Sequence, residues 1–589
     1  MTRAAVRNLA LAGFPVAGLL FVASYQAANR GGTGGVHELF WAATGVALGT
    51  AAGVLALCRD RVRAAAVLTA VLAVLLSLPK FLRAPVYFNF YDELAHYRAT
   101  QMLLAGGHLF AANPLNKVVA DYPGLHALTA AVASATGASV FVAGNAVILT
   151  ARVLGCLAVF LLARQLLRPP VAALGAVAVF AANPAFGFFD AQFSYESLAL
   201  PLVAVVLLLA VGRATIPTSG AALVLALAVV VTHHGSAYVL AGLLVLVVGT
   251  GYALRRPPSG YQWALAGATV VATLGWLFGV ARTTLAYIGP YVRSNLTSIP
   301  QFLGGGHGPR RLFGGFLPIP GYERVASFLA VLVLFGLYGW GGRVLLRRSR
   351  PRHRRAVAAA AMLLGGAYFL SLPLVALRGD QVAKRLWEFA FLAAAPVCAV
   401  GLWALATRTV RRRWVGGLTA AVLVAVAFVG GGAARSGEHI RFPGPYRPSA
   451  DPRSMTPDVV AAAQWLYRTR GPDHRVVGDR TLAAVLGSYG EQVPVTYQED
   501  GRPVWKIFVP DTLTPAVAAE VRGSGAQWLA VDLRAPGQFP LTGFYFDESE
   551  PGAYLDTSLT VRGLTKFDTG RYRRAYDNGN VVLYEVGDA

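Results

Sequence analysis

Two adjacent carboxylates, Asp92 and Glu93, follow Tyr91 at the start of a polar stretch that interrupts strongly apolar sequence. Adjacent acids beside a membrane suit two chemistries, proton abstraction and the binding of a hard divalent cation. The same pair at a helix N-terminus also serves as cap and dipole partner. A second acidic group lies in FGFFDAQFSYESLALPL, which carries Asp190, Gln192, Tyr195 and Glu196. There Ser194 can cap a helix, with Glu196 in its first turn. Thr232-His233-His234 follows at a later break between apolar runs, where an imidazole can ligate a metal or donate to a phosphate. Adjacent residues diverge on a helix, so at most one of the two histidines faces a common site. The last group is cationic: Arg282, Arg293, Arg310, Arg311, Arg378, Lys384 and Arg385. Arginine grips phosphate bidentately and lysine acts as a point charge, whereas singly such residues also serve lipid headgroups. Arg378, Lys384 and Arg385 share the short segment LRGDQVAKRLWE with Asp380 and Glu388.

The elements that must position these groups are apolar. The chain has 589 residues, 55% hydrophobic and 14% charged, with a mean hydropathy of +0.52. A soluble domain is about 25% charged. Apolar stretches long enough to cross a bilayer fall near 8–26, 37–57, 63–82, 138–163, 171–187, 196–212, 218–233, 235–253, 261–281, 325–342, 356–376, 389–407 and 414–432. The first is read as a signal anchor. The pairs at 171–212 and 217–254 are runs too long for one span, each broken by a polar patch. Residues 1–433 carry 35 basic and 10 acidic side chains, and residues 434–589 carry 17 and 19. The basic excess belongs to the loops and implies no nucleic-acid partner. Basic residues are 47 Arg to five Lys, a usage associated with GC-rich bacterial, actinobacterial-type genomes. Cys58, Cys156 and Cys398 lie far apart and make no disulfide framework.

Arginine clusters at 59–63, 164–168, 255–256, 345–355 and 408–413 mark alternate loops as cytoplasmic. The expected topology is a multi-pass plasma-membrane protein, N-terminus cytoplasmic and C-terminal domain extracytoplasmic. On that map nine of the ten acids of 1–433 fall at the outer face, Asp60 being the exception. Chemistry is therefore expected at the outer boundary, in loops 84–137, 282–324 and 377–388. Aromatics crowd these loops, and Tyr91, Tyr97 and His96 are candidate substrate contacts. No ionisable residue is read near the midplane of a span.

Residues 434–589 open on a Pro/Arg/Gly linker and then alternate helix and strand signals. TPDVVAAAQWLYRTRG has a Thr cap and helical period, RVVGD and QWLAVDL read as buried strands, and RRAYDNGNVVLYEV reads as a hairpin. The fold class is thus a polytopic α-helical membrane protein of about 13 transmembrane helices with a C-terminal extracytoplasmic α/β domain. The domain boundary is placed at 433/434.

The segment YDELAHYRATQMLLAGGHLF resembles the first extracytoplasmic loop of the C-superfamily (GT-C) glycosyltransferases, which include protein O-mannosyltransferases, aminoarabinose transferases and oligosaccharyltransferase catalytic subunits. Asp92, Glu93, Tyr97, Ala99, Leu104 and Gly106 match the loop of the family-39-like members, and Pro123 in YPGLHAL matches the segment that follows. The resemblance implies an inverting transfer of sugar from a polyprenyl-phosphate donor to a glycan, lipid or protein acceptor outside the cytoplasm. Asp92 would act on the acceptor as base or through a divalent cation (Mg or Mn) held by Asp92 and Glu93. Asp190, Glu196, His233 and His234 are candidate helpers, and Arg378, Lys384, Arg385, Arg310 and Arg311 are candidates for the donor phosphate. The competing readings are a transporter or flippase for a polyprenyl-linked glycan and a non-catalytic envelope-assembly protein. The tail is expected to shape the acceptor side, so that slow Asp92-dependent hydrolysis of donor survives its removal.

Overall fold

The computed structural model describes the chain apart from residues 1–2, 33, 59–60, 213, 256–257, 288, 290–318, 349–351, 377–379, 410–412, 436–437, 548, 551–557 and 588–589. It divides into two compact units. The first comprises Met1–Ala28, Gly32–Leu82 and Gly144–Arg441, and the second Asn29–Gly31, Arg83–Ala143 and Phe442–Ala589. Residues 83–143 therefore group with the C-terminal segment.

Among the described residues, ten helices are long and apolar enough to cross a membrane: Ala4–Asn29, Val36–Leu57, Val62–Arg83, Val140–Leu166, His234–Ala253, Gly260–Gly279, Gly321–Arg347, Arg355–Pro373, Arg385–Thr407 and Trp414–Ala434. The chain is a multi-pass membrane protein. Three further apolar helices, Pro170–Ala181, Tyr195–Val211 and Ile216–Thr232, are shorter. They occupy the two runs that the sequence divides into paired spans. The first stops at Ala181 rather than near 187, because Asn183-Pro184 disfavours helix. The Asn183 side chain instead accepts from Ala185 N at 2.9 Å, an Asx turn that opens the irregular segment carrying Asp190.

Within the first unit, helices Gly321–Arg348 and Asp380–Ala404 pack through small residues. A Cβ on Gly341 would collide with the Val397 carbonyl, and one on Gly401 with the Leu337 carbonyl. Such backbone contact is how apolar helices associate where no solvent drives them together. The same unit holds a buried polar hub. Glu323 Oε1 accepts from Trp41 Nε1 at 2.7 Å and from Arg441 Nη1 at 2.9 Å, and lies 2.8 Å from His37 Nδ1. Arg441 also stacks near Trp41, 5.2 Å from its ring centroid. A buried carboxylate needs such partners.

In the second unit, five strands form one sheet in the order β2-β1-β3-β5-β4: β1 (Arg475–Val477), β2 (Val493–Pro494), β3 (Trp528–Asp532), β4 (Tyr572–Asp577) and β5 (Val581–Val586). β1 runs parallel to β2 and β3, and β5 is antiparallel to β3 and β4. The strands RVV and WLAVD and the hairpin lie where the sequence places them, the turn closing on Gly579 at φ +87°. Helix Pro457–Arg470 begins after Thr456 as expected, although the Thr456 side chain makes no cap bond. All five residues of β3 are buried, against a core that includes Val477, Val582, Tyr584 and Phe567. Helices Tyr91–Gly106, Lys117–Ala120 and Gly124–Thr136 of the 83–143 segment complete this unit.

Candidate functional site

The helix Tyr91–Gly106 starts from an extended Phe90 (φ −119°, ψ 145°) and ends on Gly107 in the left-handed region (φ +68°). Successive helical residues point about 100° apart, and this separates the two acids. Asp92 is exposed, whereas Glu93 is 1% exposed. Glu93 Oε2 accepts from Asn89 N at 3.3 Å, reaching back over the helix start as a capping-box acid does. The buried stripe continues through Leu94, Ala95, His96 and Arg98.

This geometry bears on the cation expected at Asp92 and Glu93. Asp92 is exposed and Glu93 buried, so the two residues meet different surroundings. Among the described residues, no three His, Cys, Asp or Glu side chains are grouped to hold a metal.

Residues far along the chain fix the helix start. Tyr91 N donates to Asp451 Oδ2 at 3.2 Å, Asp451 Oδ1 pairs with Arg480 Nη1, and the Arg480 guanidinium lies 4.4 Å from the centroid of the Tyr91 ring. Burial pushes the Tyr91 phenol up to about 12; Arg480 opposes this, and Asp547, Asp92 and Asp451 add to it. Tyr97 is tilted against Tyr489 at 4.7 Å, and burial followed by Glu491 raises it to about 12. Tyr489 Oη accepts from Phe88 N at 2.8 Å, and Arg98 pairs with Glu491 at 2.6 Å. His96, a candidate substrate contact, is 2% exposed and lies 2.9 Å from His126 Nε2 through Nδ1. Burial holds His96 well below its usual range and takes His126 down to about 3, so both rings are neutral at neutral pH. His96 belongs to the interior of this unit.

In the first unit the helper residues converge. Glu196 is buried in the first turn of Tyr195–Val211, and its Oε2 accepts from Arg385 Nη1 at 3.2 Å. Arg385 is 40% exposed and lies 5.5 Å from the Phe189 ring centroid. Tyr195 stacks on His233 at 4.5 Å and meets His234 edge-on at 5.9 Å. His233 caps the helix His234–Ala253: its Nδ1 accepts from Ser236 N at 3.2 Å. The neutral ring then carries its proton on Nε2. Glu196, His233, His234 and Arg385 thus form one polar cluster. Arg310, Arg311 and Arg378, and the side chain of Lys384, lie outside the described residues.

Asp190 sits in the 3-10 turn Phe189–Ala191, 5% exposed, with Asn183 Nδ2 donating to its Oδ2 at 3.5 Å. It lines a cavity of about 20 Å³ together with Arg152. Arg152 corrects the reading that no ionisable residue lies inside a span. It falls about 18 Å along the helix Val140–Leu166, at 1.5 Å per residue, and is buried. Its Nε donates to Ser77 Oγ at 2.8 Å and its Nη1 to the Phe186 carbonyl at 2.9 Å, over the Phe186 ring at 4.2 Å. An arginine inside a predicted span was itself the signal, because such residues are rare and tied to partners. Asp451 and Arg480 carried no such signal.

No protein-family model matches the chain, and no curated protein matches it in sequence. Solved structures do align with it. One is the archaeal oligosaccharyltransferase AglB from Archaeoglobus fulgidus in complex with an inhibitory peptide and a dolichol-phosphate, at 12% identity over 80% of this chain and 69% of that one, TM-score 0.48. A second structure of the Archaeoglobus fulgidus oligosaccharyltransferase, complexed with Zn and sulfate, aligns at 14% identity over 88% and 73%, TM-score 0.49. ArnT from Cupriavidus metallidurans bound to undecaprenyl phosphate aligns at 12% identity over 89% and 99%, TM-score 0.40.

Proposed function

We propose that this chain is a membrane glycosyltransferase that moves a sugar from a polyprenyl-phosphate donor to an acceptor hydroxyl at the extracytoplasmic face, with inversion. The observation that carries the reading is the outward-facing Asp92 carboxylate on a helix start that Asp451 and Arg480 hold in place, in the segment that resembles the GT-C loop. Asp92 takes the acceptor proton as the acceptor oxygen attacks the anomeric carbon. The bond from that carbon to the phosphate oxygen breaks, and polyprenyl phosphate leaves with its charge. A single displacement inverts the anomeric centre. Within the first unit, Arg385, 40% exposed beside Glu196, is suited to bind a phosphate. The test is incubation of purified protein with synthetic polyprenyl-phosphate sugars and assay of released polyprenyl phosphate. Absence of release from every donor tried would sink the reading.

Arg385→Gln is expected to weaken donor use. A hydrogen bond to a charged group contributes about 1.5–3 kcal/mol, so kcat/KM should fall roughly 10- to 100-fold. Donor titration checks this, and an unchanged kcat/KM would remove Arg385 from the phosphate site.

The orientation is part of the same proposal: N-terminus cytoplasmic, C-terminal domain outside, in the plasma membrane. Ser524 is buried and useless for labelling, whereas Val561 is 61% exposed. A Val561→Cys protein should react with an impermeant thiol reagent in intact spheroplasts. Labelling only after permeabilisation would reverse the orientation.

Arg152 supplies the one observation that favours a transporter, since intramembrane charges often mark translocation paths. Its Nε and Nη1, however, bond to Ser77 and Phe186 within the helix packing. Donor-dependent release of polyprenyl phosphate in detergent, with no second compartment, separates the two readings.

A further inference from the structure

We infer that Arg480, together with Asp451, is a positioning residue that sets the Asp92 carboxylate, so that the C-terminal sheet domain supplies part of the catalytic apparatus. The inference deepens the proposed function and rests on Asp92 as the base.

The first N–H groups of a helix have no partner within it. Here one of them, Tyr91 N, is taken by Asp451 Oδ2 at 3.2 Å, one residue before Asp92. The other oxygen of Asp451 binds Arg480, and Arg480 lies over the Tyr91 ring at 4.4 Å. Tyr91 is therefore held by its backbone and by its ring, and Asp92 inherits that placement. The anchor is itself rigid. Arg480 opens the helix Arg480–Ser488, whose cap Asp479 accepts from Thr481 N at 2.8 Å and from Leu482 N at 2.9 Å. β1 ends at Val477, just before that cap, so the guanidinium is placed by the sheet. On the other side, Thr481 Oγ1 donates to Ser454 Oγ at 2.9 Å, tying the turn that presents Asp451 to the same helix.

The charges are consistent with this role. Burial works against the Arg480 charge, but Asp451, then Tyr91 and Asp92, more than offset it, and the guanidinium is held above its ordinary value. Arginine suits this place better than lysine, because it can stack on a ring and bind a carboxylate at once.

The test uses the full-length protein with two readouts. In donor turnover, Arg480→Gln should lower kcat about tenfold or more, with donor KM within roughly threefold, since misplacing a catalytic group by an ångström costs up to about 10²-fold. Arg480→Lys should recover part of that loss. In an Asp92→Asn background, Arg480→Gln should cost nothing further, because it acts through Asp92. Equal losses in both backgrounds would overturn the inference. The second readout is amide hydrogen exchange. Residues 90–94 should exchange faster in both Arg480→Gln and Asp451→Asn, while β3 keeps its protection. Unchanged exchange at 90–94 overturns the inference whatever the donor result. A wild-type rate in Asp92→Asn, or an inactive wild type, overturns the proposed function instead, and the exchange data still decide the positioning.

Discussion

Asp92→Asn is expected to cut sugar transfer by about 10²–10⁴-fold, the usual loss when a general base is removed. The substitution keeps the side-chain shape and its place in the first helical turn, so binding and folding should change little. Glu93→Gln is the control. Glu93 is buried and accepts from Asn89 N, a bond that the amide oxygen of glutamine can still make. Its effect on turnover should therefore be much smaller. The measurement is release of polyprenyl phosphate by the two purified variants under saturating donor. Transfer by Asp92→Asn at the wild-type rate would remove Asp92 from the chemistry, and equal losses in both variants would mean that the helix start matters only as structure.

Removal of the chain after Gly432 is expected to abolish donor hydrolysis as fully as Asp92→Asn does, again by about 10²–10⁴-fold. Sequence alone suggests the opposite, that a membrane part keeping Asp92 would keep slow hydrolysis. The structure changes the expectation because residues 83–143 belong to the same compact unit as 442–589. Truncation strips Tyr489 from Phe88 N, Glu491 from Arg98, and Asp451 with Arg480 from Tyr91. It leaves the Arg98 guanidinium without its carboxylate and the buried stripe of the Asp92 helix without its cover. Comparing hydrolysis by the truncated protein with and without Asp92→Asn decides the matter. A residual rate that depends on Asp92 would show that the membrane part orders the helix without help.

Local chemistry along the chain determined much of this protein. Apolar runs about 20 residues long named the ten long helices, since length and hydropathy suffice for a span. Asp577-Asn578-Gly579 between two strand-like runs named the β4–β5 hairpin, because only certain residues tolerate that turn. The Asp92-Glu93 pair was legible from its residue types as chemistry suited to a helix start. What spacing could not decide was which acid faces out. That depends on the packing of Leu94, Ala95 and His96, and so on partners elsewhere in the chain. Glu196 and Arg385 are 189 residues apart, and Tyr91 and Asp451 are 360 apart. Hydrogen bonds and ion pairs act over a few ångströms and leave no periodic mark in sequence, so such meetings exist only once the chain has folded. For the same reason His96 read as a candidate substrate contact until the fold brought His126 within 2.9 Å of it and closed both from solvent.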